Sequence, residues 1–184
     1  LFEQELANTA RAPSTMLACG RPSAGSLRVE APMGRSSLNP QECSNIAWAF
    51  AKCTLTDLPL MEALAAAAIS RISDHRAQNL SNTVWSFAAL VLQDLPLMDA
   101  ISAQSLAIIS DFDPQAFANP AWAIAKRLVV DDPLLNAISA AARPIISDFR
   151  TQNLSNLAWS FATLLLFDDP LFQATAASAI RIIS

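Results

Sequence analysis

The sequence predicts an all-α protein, an α-solenoid of stacked helix–turn–helix hairpins with a 37-residue period. Three observations predict it: an internal repeat, helix-start residues opening both halves of each repeat, and an apolar composition with no membrane-length run. Gln41, Gln78, Gln115 and Gln152 are each 37 apart, and so are Asn45, Asn82, Asn119 and Asn156. Trp48, Trp85, Trp122 and Trp159 keep the same step and are all four tryptophans of the chain. Asp57, Asp94, Asp131 and Asp168 follow it, as do Pro59, Pro96, Pro133 and Pro170, then Ile72, Ile109, Ile146 and Ile183. A period of this length marks a repeat array, in which no unit buries its apolar face without its neighbours. Of the 184 residues 53% are hydrophobic and 15% charged. The longest apolar runs, such as 63–69, fall well short of the roughly 18 residues that a membrane span needs, so the apolar residues are assigned to a core and no membrane partner is expected.

Taken in chain order, residues 1–38 come first as a degenerate repeat, expected to be disordered or poorly folded. One period before the first full unit, Gln4, Asn8 and Pro22 stand in place, but Arg11 occupies the tryptophan position. All three glycines, Gly20, Gly25 and Gly34, lie here with Pro13, Pro22 and Pro32, a composition that opposes a hairpin. A decayed repeat or a translated frameshift that recovers its frame near Leu38 accounts for it. From Leu38 onward no glycine occurs, which excludes Gly-rich nucleotide-binding loops and leaves no inexpensive residue for turns with φ > 0.

Four hairpins follow, at 39–75, 76–112, 113–149 and 150–184. In the first, Asn39 before Pro40 reads as an N-cap with proline at the first helical position, and Asp57 before Pro59 opens the second helix. The second reads AQNLSNTVWSFAALVLQ and then DLPLMDAISAQSLAIIS, two helices of about 16 residues. The third opens on Asp113 and Pro114, with Pro120 inside its first helix and Pro144 inside its second. Each of these two prolines removes a backbone hydrogen bond, so this hairpin is the expected bend. The fourth repeats the pattern through Asp168 and Pro170. A chain that starts at Leu1 and stops after the apolar stretch Ile180 to Ile183 is expected to be a piece of a longer array.

On a helical wheel, Gln41, Ser44, Asn45, Trp48, Ala51 and Leu55 share one arc that barely changes between copies, and Cys43, Ala47 and Phe50 extend it. The remaining strip varies most: Glu42, Ile46, Ala49 and Cys53; Asn79, Thr83, Ser86 and Leu90; Ala116, Pro120, Ala123 and Arg127; Asn153, Leu157, Ser160 and Leu164. Fixed positions in a repeat array specify stacking, while an exposed variable stripe can read a ligand one unit at a time. The candidate binding residues are therefore Glu42, Ile46, Ala49, Lys52, Asn79, Thr83, Ser86, Ala116, Lys126, Arg127, Asn153 and Ser160. The alternative for this strip is a tolerant solvent face.

The Gln, Asn and Trp registers are taken as a structural signature. A tryptophan between Ala and Phe at helical spacing is expected in the core, with nucleobase stacking as the alternative. The asparagine is expected to be a buried amide that bonds the next repeat and fixes register, with base reading as the alternative. The repeated aspartates precede proline-containing helix starts and are assigned as caps. His75 occupies the place of Phe112 and Phe149 and is an edge-of-core substitution, not a base. Cys43 and Cys53 point to different faces, and one histidine without a C-x-x-C leaves no metal set. No catalytic constellation stands apart from the repeat, so no enzyme activity, cofactor or small-molecule substrate is expected.

The string Gln-x-Leu-Ser-Asn-x-x-Trp-Ser-Phe-Ala at 78–88 and 152–162, with Gln-Glu-Cys-Ser-Asn-Ile-Ala-Trp-Ala-Phe-Ala at 41–51, resembles the octotricopeptide repeats of algae and related protists and the repeat regions beside RAP domains. This resemblance implies helical hairpins that bind single-stranded organellar RNA and govern transcript stability, processing, splicing or translation in mitochondria or chloroplasts. Charge points elsewhere: residues 39–184 carry 8 Lys and Arg against 13 Asp and Glu, a net of −5. Phosphate binders are normally basic. Either RNA follows a local basic track that includes Lys52, Lys126 and Arg127 while acidic caps face away, or the array is a protein–protein scaffold.

Overall fold

The computed structural model describes residues 38–127 and 131–183, and among these it contains eight α-helices and no strand. Except for α7, which follows Arg150 with no side-chain cap, each helix starts where a side chain accepts a free amide group. Asn39 Oδ1 accepts from Glu42 N at 2.9 Å while Glu42 Oε2 accepts from Asn39 N at 2.8 Å, a reciprocal cap that opens α1 (Pro40–Lys52). Asp57 accepts from Leu60 N at 3.0 Å ahead of α2 (Leu58–Ser70). The first helix of the second hairpin, α3 (Ala77–Ala89), follows Arg76, whose amide donates to Asn79 Oδ1 at 3.2 Å. Asp94 opens α4 (Leu95–Ala107), Asp113 opens α5 (Pro114–Arg127) and Asp131 opens α6 (Asp132–Ala142), each accepting from the amide three residues on. After α7 (Thr151–Thr163), Asp168 does the same for α8 (Asp169–Ile183). A cap of this kind contributes about 1 kcal/mol, so the repeated aspartates have a structural role in every unit.

The three described hairpin turns use left-handed backbone without glycine. Thr54, Val91 and Leu165 occupy one register position and have φ of 52°, 61° and 56°. In each turn this residue donates back to the carbonyl three before it, and the next residue to the carbonyl five before it, as in Val91 N to Ala88 O at 3.2 Å and Leu92 N to Phe87 O at 2.9 Å. Leu92 and Leu166 then pack into the core beneath, which holds the turn in place. A β-branched residue in this region is strained, at about 1–2 kcal/mol by the usual left-handed penalty. Val91 is 64% exposed, so its side chain contributes little packing. Val91→Gly is expected to raise stability by about 1 kcal/mol, read as a higher denaturant midpoint; a lower midpoint would show that the turn is not strained.

The first helices form one continuous layer, α1 against α3, α3 against α5 and α5 against α7, packed far more closely than the second helices. Two successive apolar clusters run beneath. One centres on Met61, Leu64, Leu80, Phe87, Leu97 and Ile101, the other on Phe117, Leu135, Ile138, Leu157, Phe161 and Leu171. The prolines of the third hairpin behave differently from each other. α5 runs unbroken through Pro120, and Ala116 O, which would have paired with an amide at 120, accepts from Ser81 Oγ of the preceding repeat at 3.4 Å. Pro144 does not kink its helix but ends it: α6 stops at Ala142 and a six-residue 3₁₀ segment (Arg143–Asp148) replaces the three-residue turns Ile72–Asp74 and Ile109–Asp111. Its carbonyls anchor α8, with Ser178 Oγ donating to Ile146 O at 3.1 Å and Arg181 to Ser147 O at 2.7 Å. The reading of residues 1–37 lies outside the described residues.

His75 is buried where the next two units carry buried Phe112 and Phe149. Its Nδ1 lies 3.0 Å from the Arg71 carbonyl and must donate there, which leaves Nε2 as a buried acceptor with no partner among the described residues. Burial pushes its pKa below the ordinary value near 6.5, and the Arg71 guanidinium lowers it further against the opposing backbone bond and Asp74. The folded state therefore binds fewer protons than the unfolded one below that value. Stability from the neutral ring is complete above pH about 6.5 and is lost as pH falls toward the depressed folded pKa. His75→Phe is expected to stabilise by about 1–2 kcal/mol at neutral pH and to flatten the loss below pH 6.5, measured by denaturation at several pH values. An unchanged acid profile would assign that loss to other groups.

Candidate functional site

The variable strip is not a solvent face. Thr83, Ser86, Ala116 and Ser160 are buried, as are Pro120, Ala123 and Leu157 of the same strip. They lie on the side of each first helix that packs against the preceding repeat. Asn79 Nδ2, at the head of the strip on α3, donates to Ser44 Oγ on α1 at 3.4 Å, and Ala116, its counterpart on α5, accepts from Ser81 on α3. The hydroxyls of Thr83, Ser86 and Ser160 turn back to their own helix, donating to Asn79 O, Asn82 O and Asn156 O at 2.8, 2.6 and 2.6 Å. These residues cannot meet a ligand from outside, because neighbouring first helices approach closely enough to bury them. Glu42 is exposed but serves the α1 cap; Ile46, Ala49 and Asn153 are half-buried. Arg127 is half-buried and lines a cleft of about 400 Å³ between the second and third hairpins, with Met98, Ile101 and Pro120. Of the twelve candidates, Lys52 and Lys126 reach solvent on the face described next.

That face is formed by the signature positions. Gln41, Gln78, Gln115 and Gln152 are exposed; Asn45, Asn82, Asn119 and Asn156 are half-buried. No hydrogen bond joins these eight side-chain amides to another described residue, so the expected buried asparagine ladder is absent there, and inter-repeat bonds come from Asn79 and Ser81 instead. Gln, Asn and Trp recur at i, i+4 and i+7, which aligns them on one helical stripe, and side-by-side first helices set the four stripes in rows. The tryptophans sit at the edge of the core, not inside it: Trp48, Trp85 and Trp122 are half-buried, Trp122 packing against the first apolar cluster, and Trp159 is 46% exposed. Trp85 and Trp122 stack across repeats with ring centroids 6.3 Å apart and an interplanar angle of 27°.

The next position of the stripe, four residues after each tryptophan, is Lys52, Ala89, Lys126 and Thr163. Lys52 Nζ lies 5.4 Å from the Trp48 ring centroid and 5.7 Å from that of Trp85, and Lys126 Nζ lies 5.5 Å from that of Trp122. Each exposed cation–π contact contributes about 0.5–1 kcal/mol, enough to hold an ammonium over the rings and weak enough to release it to a phosphate. The stripe carries no carboxylate at any position, whereas Asp57, Asp94, Asp113, Asp131 and Asp168 are committed to helix starts. The net negative charge of the array is thus compatible with an aromatic face whose only charges are cationic.

A layer of parallel first helices with an outward row of tryptophans, amides and lysines defines a helical-repeat protein of the solenoid class. The chain belongs to the RNA-editing substrate-binding complex 6 protein family, RESC6, which its residues 36–170 match. No curated protein matches it.

Proposed function

We propose that this chain binds single-stranded RNA along the Gln, Asn and Trp rows, acting as a binding module and not as an enzyme. The observation that carries the reading is the tryptophan row with Lys52 and Lys126 lodged over its rings and no carboxylate on the stripe. Aromatic faces take unpaired bases, and lysines beside them take phosphates. Membership of a family named for an RNA-editing substrate-binding complex supports it. The octotricopeptide resemblance extends it to organellar RNA stability, processing or translation, in mitochondria or chloroplasts.

Binding to single-stranded RNA is expected to weaken steeply as salt rises. Replacing Lys52 and Lys126 together by Ala is expected to reduce the log–log salt slope by roughly 1.4, the value for two phosphate contacts on a single strand. Binding indifferent to salt, or an unchanged slope in the double variant, would refute the role of these lysines. A second reading, a protein–protein scaffold, is favoured by exposed apolar side chains on the last hairpin, Phe167 in the turn before α8 and Ile183 at the far end of that helix. Partners retained in a pull-down after nuclease treatment would support that reading.

A further inference from the structure

We infer that the RNA taken by this face is a homopolymeric single-stranded tract, not a sequence spelled out one different base at a time; this rests on the RNA-binding reading above. Helical-repeat readers obtain a base code by changing, from repeat to repeat, the two or three side chains that each unit presents to its base. Here many of the residues that change, Thr83, Ser86, Ala116, Ala123, Leu157 and Ser160 among them, are buried between first helices, and the hydroxyl-bearing ones of these bond their own helix. The residues presented outward are the same trio, Gln, Asn and Trp, in all four units. Identical readers set in register favour identical bases. Along the Gln, Asn, Trp and Lys stripe itself, variation is confined to the lysine position, where Lys52 and Lys126 alternate with Ala89 and Thr163. A lysine at that position meets a phosphate, which is common to every nucleotide, so it adds affinity without adding a code.

The amides give this face the means to prefer one base over another. A tryptophan row alone would be tolerant of sequence, since every base has a π-face. On the same stripe as each ring, one and two turns before it, stand an asparagine and a glutamine whose donors and acceptors are uncommitted among the described residues, which is the chemistry that hydrogen-bonds a base edge. The Trp85–Trp122 stack keeps adjacent units in one continuous row, so the preference of one unit is repeated at the next.

The test is a comparison of the whole chain on the four RNA homopolymers and on mixed sequences of equal length at one salt concentration. One homopolymer is expected to bind at least tenfold tighter than any mixed sequence. Asn82→Leu, which keeps the size and charge of a half-buried side chain, is expected to reduce that ratio at least threefold while the circular dichroism stays helical. A mixed sequence that binds tighter than every homopolymer would overturn the inference in favour of a code, and equal affinity for all would overturn it in favour of a tolerant stacking platform. No binding to any RNA would instead refute the RNA-binding reading itself.

Discussion

Phe117→Ala is expected to cost about 3–5 kcal/mol, the usual range for emptying a buried phenylalanine site. Phe117 is 2% exposed and fully enclosed at the joint between the second and third hairpins. Its ring lies 5.3 Å from Phe112, tilted by 55°, and 6.3 Å from Phe149, at 20°. Phe112 closes the second hairpin and Phe149 the third, so one side chain joins the ends of two repeats. Stability in such an array is close to a sum of unit and neighbour terms, and removing this ring lowers the term between two units as well as one within. Equilibrium denaturation followed by tryptophan fluorescence reads the loss. Phe167→Ala serves as the control, because Phe167 is 88% exposed and its truncation is expected to leave the midpoint within the range of surface substitutions, about 0.5 kcal/mol. A Phe117→Ala variant as stable as the control would remove the aromatic joint from the account of this fold.

The period, the hairpins and the caps were legible in the sequence because each rests on local chemistry. Asp or Asn ahead of proline has few better uses than a helix start, and every such position that the structure describes accepts the expected amide. The faces of the first helix were legible only in part: the wheel put Cys43, Ser44, Ala47, Phe50 and Ala51 in the core, where they lie, but set Gln41, Asn45 and Trp48 with them and left the largely buried variable strip for a ligand. Invariance among copies suggested packing and variation suggested solvent. Between closely packed helices, however, the demand is on size and not on identity, so Ser86, Ala123 and Ser160 exchange freely at one buried position. The small volume of those residues was the signal that marked the interface. On the opposite side, Gln, Asn and Trp stay fixed where packing does not require it, since their amides are unbonded among the described residues and their rings are partly open to water. The left-handed turns were also hidden: without glycine, nothing in Thr54, Val91 or Leu165 announces φ > 0.

Replacing Trp85 by leucine is expected to weaken binding of single-stranded RNA by about fivefold to 150-fold, the equivalent of roughly 1–3 kcal/mol for one lost base–aromatic stack. Trp85 is one of the two inner rings of the row, with Lys52 5.7 Å from its centroid and the Trp122 ring stacked on it. Leucine retains apolar volume against the half-buried base of that site but offers no π-face, which separates the binding role of the ring from its packing role. If the ring were only a lid on the core, the variant would lose stability and keep its affinity. If it is the stacking platform, affinity falls while the denaturant midpoint stays near that of the parent chain. The salt dependence distinguishes it further from the lysine variants: losing a stack lowers affinity at every salt concentration and leaves the slope unchanged, whereas losing a phosphate contact changes the slope. An affinity loss with an altered slope would mean that Trp85 acts by holding Lys52 in place, and that the lysine, not the ring, meets the RNA.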